Sequence, residues 1–307
     1  MPLFTVVIPL YNKENYIAAT LNSILAQTFT DFEIVIVNDV CTDNSVVVAQ
    51  SFKDSRIRII THPYNRGLSA SRNTGIKNAT APYVTFIDAD DAWKPLFLET
   101  MHCLIKQFPE AGLYASHYAE IYKGGVAIVH PLQLPTSIIH NFFESSLRQP
   151  IYCQSGFCVK KSVFEEVGYY NEQINFSEDI DFNIRANYSY TLAYCNEPLT
   201  NYTIHSENQI TQKSLKNKKI PDLDYYEPLT VNRPDIKRYL DFNRYFFARR
   251  YKLAGDAQGY KKMIAGLDTK SLNYKQIALL YAPAFILKQL QKLKSLLVQK
   301  GINPTTY

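Results

Sequence analysis

Long hydrophobic runs are missing from this sequence of 307 residues. The longest one covers residues 277–287 and is interrupted by Pro283, whereas a membrane-spanning helix needs about 18 or more consecutive apolar residues. The apolar run near the N-terminus is short, and it has neither the basic segment nor the small-residue cleavage site of a secretory signal. The sequence therefore predicts neither a membrane span nor a signal peptide, and we expect a cytoplasmic protein.

Glycine-rich phosphate loops and paired cysteines are also absent. The first apolar run is followed by PLYNKEN rather than by GxGxxG, which argues against a dinucleotide-dependent oxidoreductase. The same stretch lacks the glycine-rich, basic loop that a nucleotidyltransferase would be expected to carry. The five cysteines form no CxxC pair and no Cys/His set at zinc spacing, so the sequence predicts free thiols in a reducing compartment.

Acidic residues are missing from the end of the chain, while the chain as a whole carries a net charge of +5. The segment after Asp268 contains six lysines and no aspartate or glutamate. The basic character therefore lies in a tail, and a globally basic nucleic-acid-binding protein is not indicated.

Strand-like and helical patterns alternate along the first third of the chain. The apolar runs that predict strands cover residues 4–8, 33–37, 57–61 and 83–87. The helical patterns between them cover residues 15–27, 43–52 and 68–79. Continuous apolar strands separated by helices indicate an α/β fold, in which a parallel sheet is covered on both faces.

The pattern becomes less regular between about residues 110 and 205. Strands are predicted at residues 112–122, 191–194 and 199–204, and helices at residues 162–167 and 180–186. We expect this part to extend the same sheet with mixed strand directions. The run KSLKNKK at residues 213–219 predicts a domain boundary, with a catalytic domain over residues 1–212 and a helical region over residues 213–307.

Polar residues follow each of the first four predicted strands. They form the clusters at residues 9–12, 38–39, 65–67 and 88–91. Ligands of parallel sheets bind at the carboxyl ends of the strands, so this repetition predicts a nucleotide-type site at one edge of the sheet.

The stretch FIDADDAW carries three aspartates where the fourth strand leaves the core. Residues at positions i and i+2 of a strand face the same way, so Asp88 and Asp90 can reach one point in space. Carboxylate oxygens suit Mg²⁺ or Mn²⁺, which commonly take one or two carboxylates and complete their shell with water and substrate phosphates. The alternative is an acidic turn in which Asp91 caps the helix that follows.

Five motifs, taken in their order and spacing, resemble the inverting family 2 glycosyltransferases of the GT-A fold. They are PLYN at 9–12, VNDVCTDNS at 37–45, NRGLSASRNTGI at 65–76, DADD at 88–91 and SEDIDFNIR at 177–185. The resemblance covers about residues 3–210. It implies a Rossmann-like, mixed and mostly parallel sheet flanked by helices, and transfer of a hexose or N-acetylhexosamine from a UDP-sugar during bacterial polysaccharide assembly.

The resemblance also implies which residues bind the nucleotide-sugar: Pro9, Tyr11, Asn12, Asp39, Arg72, Asn73, Asp88, Ala89 and Asp90. In this reading Pro9 and Tyr11 form the wall against the base, and the tyrosine ring stacks on uracil. Asp39 accepts a hydrogen bond from the base N–H. Arg72 and Asn73 lie near the ribose and the diphosphate.

The family resemblance also implies a divalent cation, Mn²⁺ or Mg²⁺. Asp88 would contact the ribose, Asp90 would bind the metal that bridges the two phosphates, and His205 would add a metal or phosphate contact. The metal stabilises negative charge on the departing UDP, so no acid is needed at the leaving group. A lone histidine such as His205 is otherwise a surface or capping residue.

The acceptor hydroxyl requires a base, because its proton must leave as its oxygen attacks the anomeric carbon. The resemblance implies Asp179 as this base, with Glu178 hydrogen-bonding the acceptor or exchanging roles with it. The alternative is that both acids only favour the positive end of a helix. Gln154, Ser155 and Gly156 would line the sugar and acceptor pocket, or form a buried turn.

One departure from the family pattern concerns the second motif. The family usually has Gly-Ser where this chain has Val40-Cys41, and loss of a glycine removes easy access to positive φ. We therefore expect the loop after Asp39 to lie differently. The departure also favours an alternative function, a non-catalytic subunit that binds nucleotide or glycan.

The basic tail contains an amphipathic pattern. Apolar residues that share one helical face are Ile286, Leu290, Leu293 and Leu297, and the lysines off that face are Lys288, Lys292 and Lys294. Such a helix suits the anionic inner face of a membrane, which would bring the enzyme to a lipid-linked glycan acceptor. The alternative is that the face packs on the catalytic domain or on a partner subunit.

Overall fold

A computed structural model describes residues 1–132, 134–147, 149–212 and 214–299. In this part of the chain ten strands form one sheet. The strands are β1 (Phe4–Leu10), β2 (Phe32–Asn38), β3 (Ile57–Thr61), β4 (Tyr83–Phe86), β5 (Ala92–Trp93), β6 (Leu113–Ile121), β7 (Ala127–Ile128), β8 (Ser137–Ile139), β9 (Phe157–Lys160) and β10 (Leu192–Thr203).

The sheet has the strand order β3-β2-β1-β4-β9-β6-β10-β5, and β7 and β8 pair with β6 and β10. Strands β1 to β4 are mutually parallel, while β9 runs antiparallel to both β4 and β6. The chain moves outward from β1 to β2 and β3, and then returns to place β4 on the other side of β1. The strand order therefore reverses between β1 and β4, which is where open α/β sheets bind their ligands.

The helices are α1 (Ile17–Leu25), α2 (Ser45–Ser51), α3 (Leu68–Asn78), α4 (Phe97–Gln107), α5 (Phe142–Ser145), α6 (Lys161–Val167), α7 (Glu178–Ser189), α8 (Pro234–Ala254), α9 (Ala257–Ala265), α10 (Tyr274–Tyr281) and α11 (Ala284–Gln299). Single turns of 3-10 helix cover Gln154–Gly156, Ile210–Gln212 and Thr269–Ser271, and a longer one covers Leu223–Thr230.

Both faces of the sheet are covered, because alternate residues of β1 point to opposite sides. On one side, Val6 and Ile8 pack with apolar residues of α1, α2 and α4 in one buried cluster. On the other side, α3 approaches so closely that a Cβ at Gly75 would lie 2.2 Å from a Cγ of Val7. The predicted arrangement of strands and helices agrees with this layered structure.

The least regular predicted region differs most from the structure, which adds the unpredicted elements β7, β8, α5 and β9. The strands predicted at residues 191–194 and 199–204 are parts of a single strand, β10. Its register with β6 shifts on both sides of Pro198. Proline has no N–H to donate to the ladder, so the strand continues through an irregularity that the sequence pattern presents as a break.

The chain divides into two compact units. The first contains residues 1–140 and 152–210, and the second contains residues 141–151 together with the chain from residue 211 onward. The expected boundary after residue 212 differs from this division mainly because residues 141–151 belong to the second unit. Lys213, in the run that predicts the boundary, lies outside the described residues.

The second unit is helical, and its longest helix, α8, carries a buried arginine within a cluster of charges. Arg244 is 1% exposed, and its guanidinium contacts carboxylates of Asp224 at 2.7 Å, Glu227 at 2.6 Å and Asp241 at 3.2 Å. Three carboxylates around one arginine compensate the cost of burying its charge. Among the described helices, none is both long and apolar enough to cross a bilayer.

Candidate functional site

The candidate site lies where β1 and β4 end, side by side, at one edge of the sheet. The two strands are parallel, with Phe4 opposite Tyr83 and Val7 opposite Phe86. The residues that follow them, the PLYNKEN and DADD stretches, are therefore brought to the same edge. This is the convergence that the polar residues after the strands predict.

Arg72 is the central side chain of the site. It projects from the first half of α3 and is 2% exposed. One guanidinium nitrogen donates to Glu178 Oε1 at 2.5 Å, and another donates to Asp88 Oδ1 at 3.0 Å. Its guanidinium carbon also lies 5.4 Å from the ring centroid of Tyr170. Arg72 thus joins a carboxylate predicted to bind the donor to one predicted to act on the acceptor.

The acidic pair lies on the first turn of α7. This helix begins at Glu178, two residues before the predicted start, and Ser177 in front of it has a φ of 58°. A left-handed serine at this point is strained, and such strain persists only where surrounding contacts enforce it. The N-terminal end of a helix is electrically positive, which favours both carboxylates at this position.

Burial shifts the pKa of two carboxyl groups in this cluster. Burial is the main cause that raises the pKa of Asp179 to about 6; the charge of Glu178 adds to the shift and Arg72 opposes it. Burial also raises the pKa of Asp88, against the opposing charge of Arg72 and with a further increase from Asp90. A carboxyl with a pKa near neutrality is suited to proton transfer at physiological pH.

Asp90 is held by a lysine that sequence reasoning missed. Lys13 Nζ donates to Asp90 Oδ2 at 2.7 Å, to Ser206 Oγ at 3.0 Å and to the backbone oxygen of Glu207 at 2.6 Å. Ser206 also donates to Asp90 Oδ2. The ammonium group therefore neutralises Asp90 and ties it to the segment that follows β10.

His205 lies apart from this cluster. Its side chain is exposed, its backbone has a φ of 65°, and its ring centroid is 6.5 Å from that of Tyr122. The neighbouring Ser206, rather than His205, contacts Asp90, and a metal or phosphate contact of His205 stays a prediction. A left-handed residue turns the chain sharply, so consecutive side chains point in different directions, and sequence position alone does not reveal which one faces the site.

The carboxylates fit a divalent cation, although they do not form a closed cage. Within the described ranges, no group of three or more His, Cys, Asp or Glu side chains is placed to hold a metal ion. Asp88 and Asp90 nevertheless offer hard oxygen donors at one edge of the sheet, and the Asp88 side chain is 28% exposed. Mg²⁺ and Mn²⁺ are commonly bound by one or two carboxylates with substrate phosphates, so these two residues suffice.

The alternative prediction was that Asp91 caps the following helix. Asp91 instead supports the site. The next helix, α4, begins at Phe97 with Leu96 at its cap. The Asp91 carboxylate accepts hydrogen bonds from Ser155 Oγ at 2.5 Å and from the backbone N–H of Thr203 at 2.8 Å. Burial, with the charges of Asp90 and Asp88, raises its pKa well above the usual range.

The residues predicted to line the acceptor pocket form a buried turn. Ser155 and Gly156 are buried, and Ser155 Oγ accepts the backbone N–H of Asp88 at 3.0 Å. Ser155 thereby fixes the backbone at the start of the DADD stretch. Gln154 is half-buried and its amide donates to the hydroxyl of Tyr170 at 2.7 Å, which connects it to the tyrosine beside Arg72.

Asp39 organises the loop in front of α3. Its buried carboxylate accepts the backbone N–H groups of Arg66 at 2.7 Å and Gly67 at 2.8 Å, and it hydrogen-bonds His62 Nδ1 at 2.7 Å. These contacts fix the turn from which the helix carrying Arg72 starts. The contact of Asp39 with the nucleotide base remains a prediction.

The loop after Asp39 has a left-handed backbone at Val40, one of the two residues that depart from the family pattern. Val40 has a φ of 62°, a conformation that is costly for a β-branched residue. The side chain of Asn12 stabilises the same loop by accepting the backbone N–H of Thr42 at 2.8 Å and donating to its hydroxyl at 3.0 Å. These contacts accompany the left-handed Val40; that the loop after Asp39 lies differently from the family's loop stays a prediction.

The remaining residues predicted to bind the nucleotide-sugar differ in how exposed they are. Tyr11 is 43% exposed and Pro9 beside it is half-buried, so the tyrosine ring has a free face for stacking. Ala89 is 2% exposed and acts as a packed spacer between the two aspartates. Asn73 exchanges hydrogen bonds with the backbone of Tyr170 at 2.8 and 3.0 Å and donates to Glu172 at 3.0 Å, so it fixes the turn at residues 170–172.

Comparison with known proteins identifies the family. The family model described as Glycosyl transferase family 2 matches residues 5–168, slightly more than half of the chain. The chain belongs to glycosyltransferase family 2. The expected family is thereby confirmed; the first four motifs lie within the matched residues, and the motif at 177–185 lies beyond them.

Several bacterial members are similar to this chain. The uncharacterized glycosyltransferase EpsJ of Bacillus subtilis is 45% identical over 194 residues, which cover 61% of this chain and 56% of EpsJ. Glycosyltransferase GlyA of Streptococcus pneumoniae is 31% identical over 210 residues, 61% of this chain but 30% of GlyA. The Escherichia coli UDP-Glc:alpha-D-GlcNAc-diphosphoundecaprenol beta-1,3-glucosyltransferase WfgD is 31% identical over 139 residues, 45% of this chain and 54% of WfgD. The matched part thus spans about half or less of these relatives.

Solved structures confirm the GT-A fold. The structure of Staphylococcus aureus TarS residues 1–349 in complex with UDP-GlcNAc has a TM-score of 0.68 and 18% identity, over 97% of this chain and 92% of that chain. The mannosyltransferase PcManGT from Pyrobaculum calidifontis, in complex with GDP-Man and Mn²⁺, has a TM-score of 0.53 and 16% identity, over 97% of this chain and 81% of that chain. At these identities the similarity concerns the fold.

The role of Arg72 gives a testable prediction about stability. Arg72→Met leaves two carboxylates without their shared cation, so we expect the free energy of unfolding to fall by about 3–5 kcal/mol at neutral pH. Arg72 opposes the upward shift of the folded-state pKa of Asp88, so its loss lets that pKa rise further. A carboxyl group with a raised folded-state pKa loses its stabilising contribution as pH rises above the ordinary aspartate pKa of about 4. The deficit should therefore grow from about pH 4 towards neutral pH, as measured by urea unfolding.

The matched control is Arg66→Met. Arg66 pairs with Glu172 at 2.9 Å, and both side chains are about one-third exposed, at 34% and 38%. We expect that variant to lose less than about 1 kcal/mol. Equal losses in the two variants, or an Arg72→Met deficit that does not change with pH, would contradict the central role of Arg72.

Proposed function

We propose that this protein is an inverting, metal-dependent glycosyltransferase that moves a hexose or N-acetylhexosamine from a UDP-sugar to a sugar hydroxyl in surface polysaccharide synthesis. The observation that carries the proposal is the contact of Arg72 with both Asp88 and Glu178. It places the residues assigned to the donor next to those assigned to the acceptor. A transfer reaction requires this adjacency, because the attacking and departing oxygens meet at one carbon.

The choice of a UDP-sugar rests on the relatives and on Tyr11. TarS was solved with UDP-GlcNAc, and the name of WfgD specifies a UDP-Glc donor. In this chain the exposed ring of Tyr11 follows β1 at the edge of the sheet, where an aromatic face can stack on a base. The name of WfgD also includes a diphosphoundecaprenol, which supports a lipid-linked glycan as the acceptor class.

Asp90 and Asp88 are the residues that would hold Mn²⁺ or Mg²⁺. When bound, the cation supplies positive charge that stabilises the departing diphosphate. Lys13 is already in contact with Asp90, so an ammonium group lies where charge develops on the leaving group. Arg72 holds Asp88 in place from the buried side of the site.

Asp179 is the proposed base. Its carboxylate takes the proton from the acceptor hydroxyl while the acceptor oxygen forms a bond to the anomeric carbon. The bond from that carbon to the diphosphate oxygen breaks, and its electron pair leaves with UDP. Attack from the face opposite the leaving group inverts the configuration. Glu178, which contacts Arg72, would hydrogen-bond the acceptor beside it.

A donor screen tests the proposed class directly. The purified protein is incubated with Mn²⁺ and a panel of UDP-, GDP- and dTDP-sugars, and slow hydrolysis of each donor is followed with and without EDTA. We expect release of UDP from one UDP-sugar and its loss in EDTA. Binding of UDP without hydrolysis or transfer to any acceptor would instead favour a non-catalytic subunit.

We expect opposite effects on metal binding when either partner of the ion pair between Lys13 and Asp90 is replaced. Asp90→Ala removes a carboxylate ligand, so Mn²⁺ affinity in the presence of UDP should fall and turnover should decrease at least 100-fold. Lys13→Met removes the cation that competes for Asp90, so Mn²⁺ should bind about tenfold more tightly. Electron paramagnetic resonance of free Mn²⁺ measures both affinities independently of turnover.

Asp31→Ala is the control for this pair, because Asp31 is exposed and lies at the opposite end of β2. It should change neither Mn²⁺ binding nor turnover. Unchanged Mn²⁺ affinity in Asp90→Ala would remove the proposed metal ligand from the mechanism.

The pH dependence of transfer tests Asp179. A base must be deprotonated, so kcat should rise with pH through an apparent pKa of about 6. Asp179→Asn should lower kcat by about 100-fold to 10,000-fold and leave UDP affinity unchanged.

A second measurement separates this base from a merely structural acid. The folded-state pKa of Asp179 is raised by burial, so its ionised form costs stability above about pH 6. Asp179→Asn should therefore unfold at a higher temperature than the parent at pH 7.5. A less stable variant with normal turnover would refute the assignment.

A further inference from the structure

Helix α11 contacts the rest of its unit through a side that the sequence pattern does not indicate. Leu287 is fully buried, and the helix packs against α8. The predicted face points elsewhere: Ile286 and Leu290 are each 39% exposed, and Leu293 is 53% exposed. Within the second unit these three side chains stay open to solvent and form an open face, whereas Leu297, the fourth residue of the predicted face, is half-buried.

The open face is wider than the predicted stripe. Phe285 is 68% exposed and Leu296 is 59% exposed. At 100° per residue, both lie beside Leu293 and extend the apolar arc to one side. Large apolar side chains at this exposure, grouped on one helix, are typical of an interaction surface.

Positive charge borders this apolar surface. Lys288 and Lys292 are exposed and lie next to the arc on the side of Phe285 and Leu296. From residue 269 to the end of the sequence there is no aspartate or glutamate to offset them. Lys300, which belongs to the same basic tail, lies outside the described residues.

The positive charge beside the open face favours an anionic membrane over a second copy of this chain as its binding partner. Two copies packed through this face would bring lysines together without any acidic residue of the same segment to pair with them, and such like charges destabilise association. An anionic lipid surface attracts the lysines, while its acyl region accepts the phenylalanine and leucine side chains. A basic helix with an apolar arc lies in the plane of such an interface.

We propose that α11 is a membrane-docking helix, which binds anionic phospholipid through Phe285, Ile286, Leu290, Leu293 and Leu296 with Lys288 and Lys292 at its border. The surface belongs wholly to the second unit. It does not depend on the proposed transfer reaction, so a failure of either leaves the other intact. If both hold, the helix brings the enzyme to the leaflet in which a lipid-linked acceptor lies.

Vesicle flotation with the full chain tests the docking surface. Vesicles of phosphatidylcholine alone are compared with vesicles that contain about 30 mol% phosphatidylglycerol, at low and high salt. We expect binding only to the anionic vesicles, and weaker binding at high salt because surface charge is screened. Leu290→Gln/Leu293→Gln should weaken binding at least tenfold, and Lys288→Gln/Lys292→Gln by about 20-fold.

Matched controls alter equivalent residues elsewhere. Lys123→Gln/Lys216→Gln removes the same charge from exposed positions, and Val47→Gln alters a side chain that is 65% exposed on α2. Both controls should bind like the parent, and thermal unfolding confirms that every variant is folded.

Three results would overturn the proposal. They are no binding to anionic vesicles, equal weakening by the control variants, and concentration-dependent dimerisation of the parent that Leu290→Gln/Leu293→Gln abolishes. The last result would assign the face to a second copy of this chain.

Discussion

The buried guanidinium of Arg72 is the interaction on which the rest of the site depends. A carboxylate that leaves water without a partner loses several kcal/mol of solvation, and this site contains Asp88, Glu178 and Asp179 within reach of one another. Arg72 compensates two of them directly, from a helix that starts at the turn held by Asp39. It therefore links the edge formed by the first strands to the start of α7. Charge, and not packing alone, holds the end of β4 next to the start of α7.

This charge is accompanied by strained backbone at the edge of the site. Asn12, Val40 and Ser177 all have positive φ without being glycine, and each lies in one of the five motifs. The strain is tolerated because β1, β2 and β4 supply a core in which most apolar side chains are fully buried. A rigid sheet thus fixes side chains that isolated loops would not hold.

Local patterns in the sequence were sufficient for the fold but not for the contacts of the site. The strand at residues 57–61 has the predicted bounds, and the other early strands differ by one or two residues, because an apolar run marks a buried strand directly. The decisive contacts are distant in sequence: Lys13 and Asp90 are 77 residues apart, and Arg72 and Glu178 are 106 apart. No spacing rule predicts such pairs. One signal in the sequence could have indicated the pair of Lys13 and Asp90. The lysine in PLYNKEN follows a strand predicted to end next to the acidic DADD stretch.

The contacts of Lys13 show how a cluster of aspartates is stabilised at this edge of the sheet. Clustered aspartates repel each other, so an edge that carries Asp88, Asp90 and Asp91 needs a cation nearby. Lys13 supplies it from the neighbouring strand end. The same ammonium binds Ser206 and the backbone of Glu207, so its position is coupled to the segment after β10. A divalent cation that binds Asp90 must compete with this ammonium, and its binding therefore changes the contacts that hold that segment. Within the proposed function, donor binding and the position of residues 205–209 are linked through a single lysine.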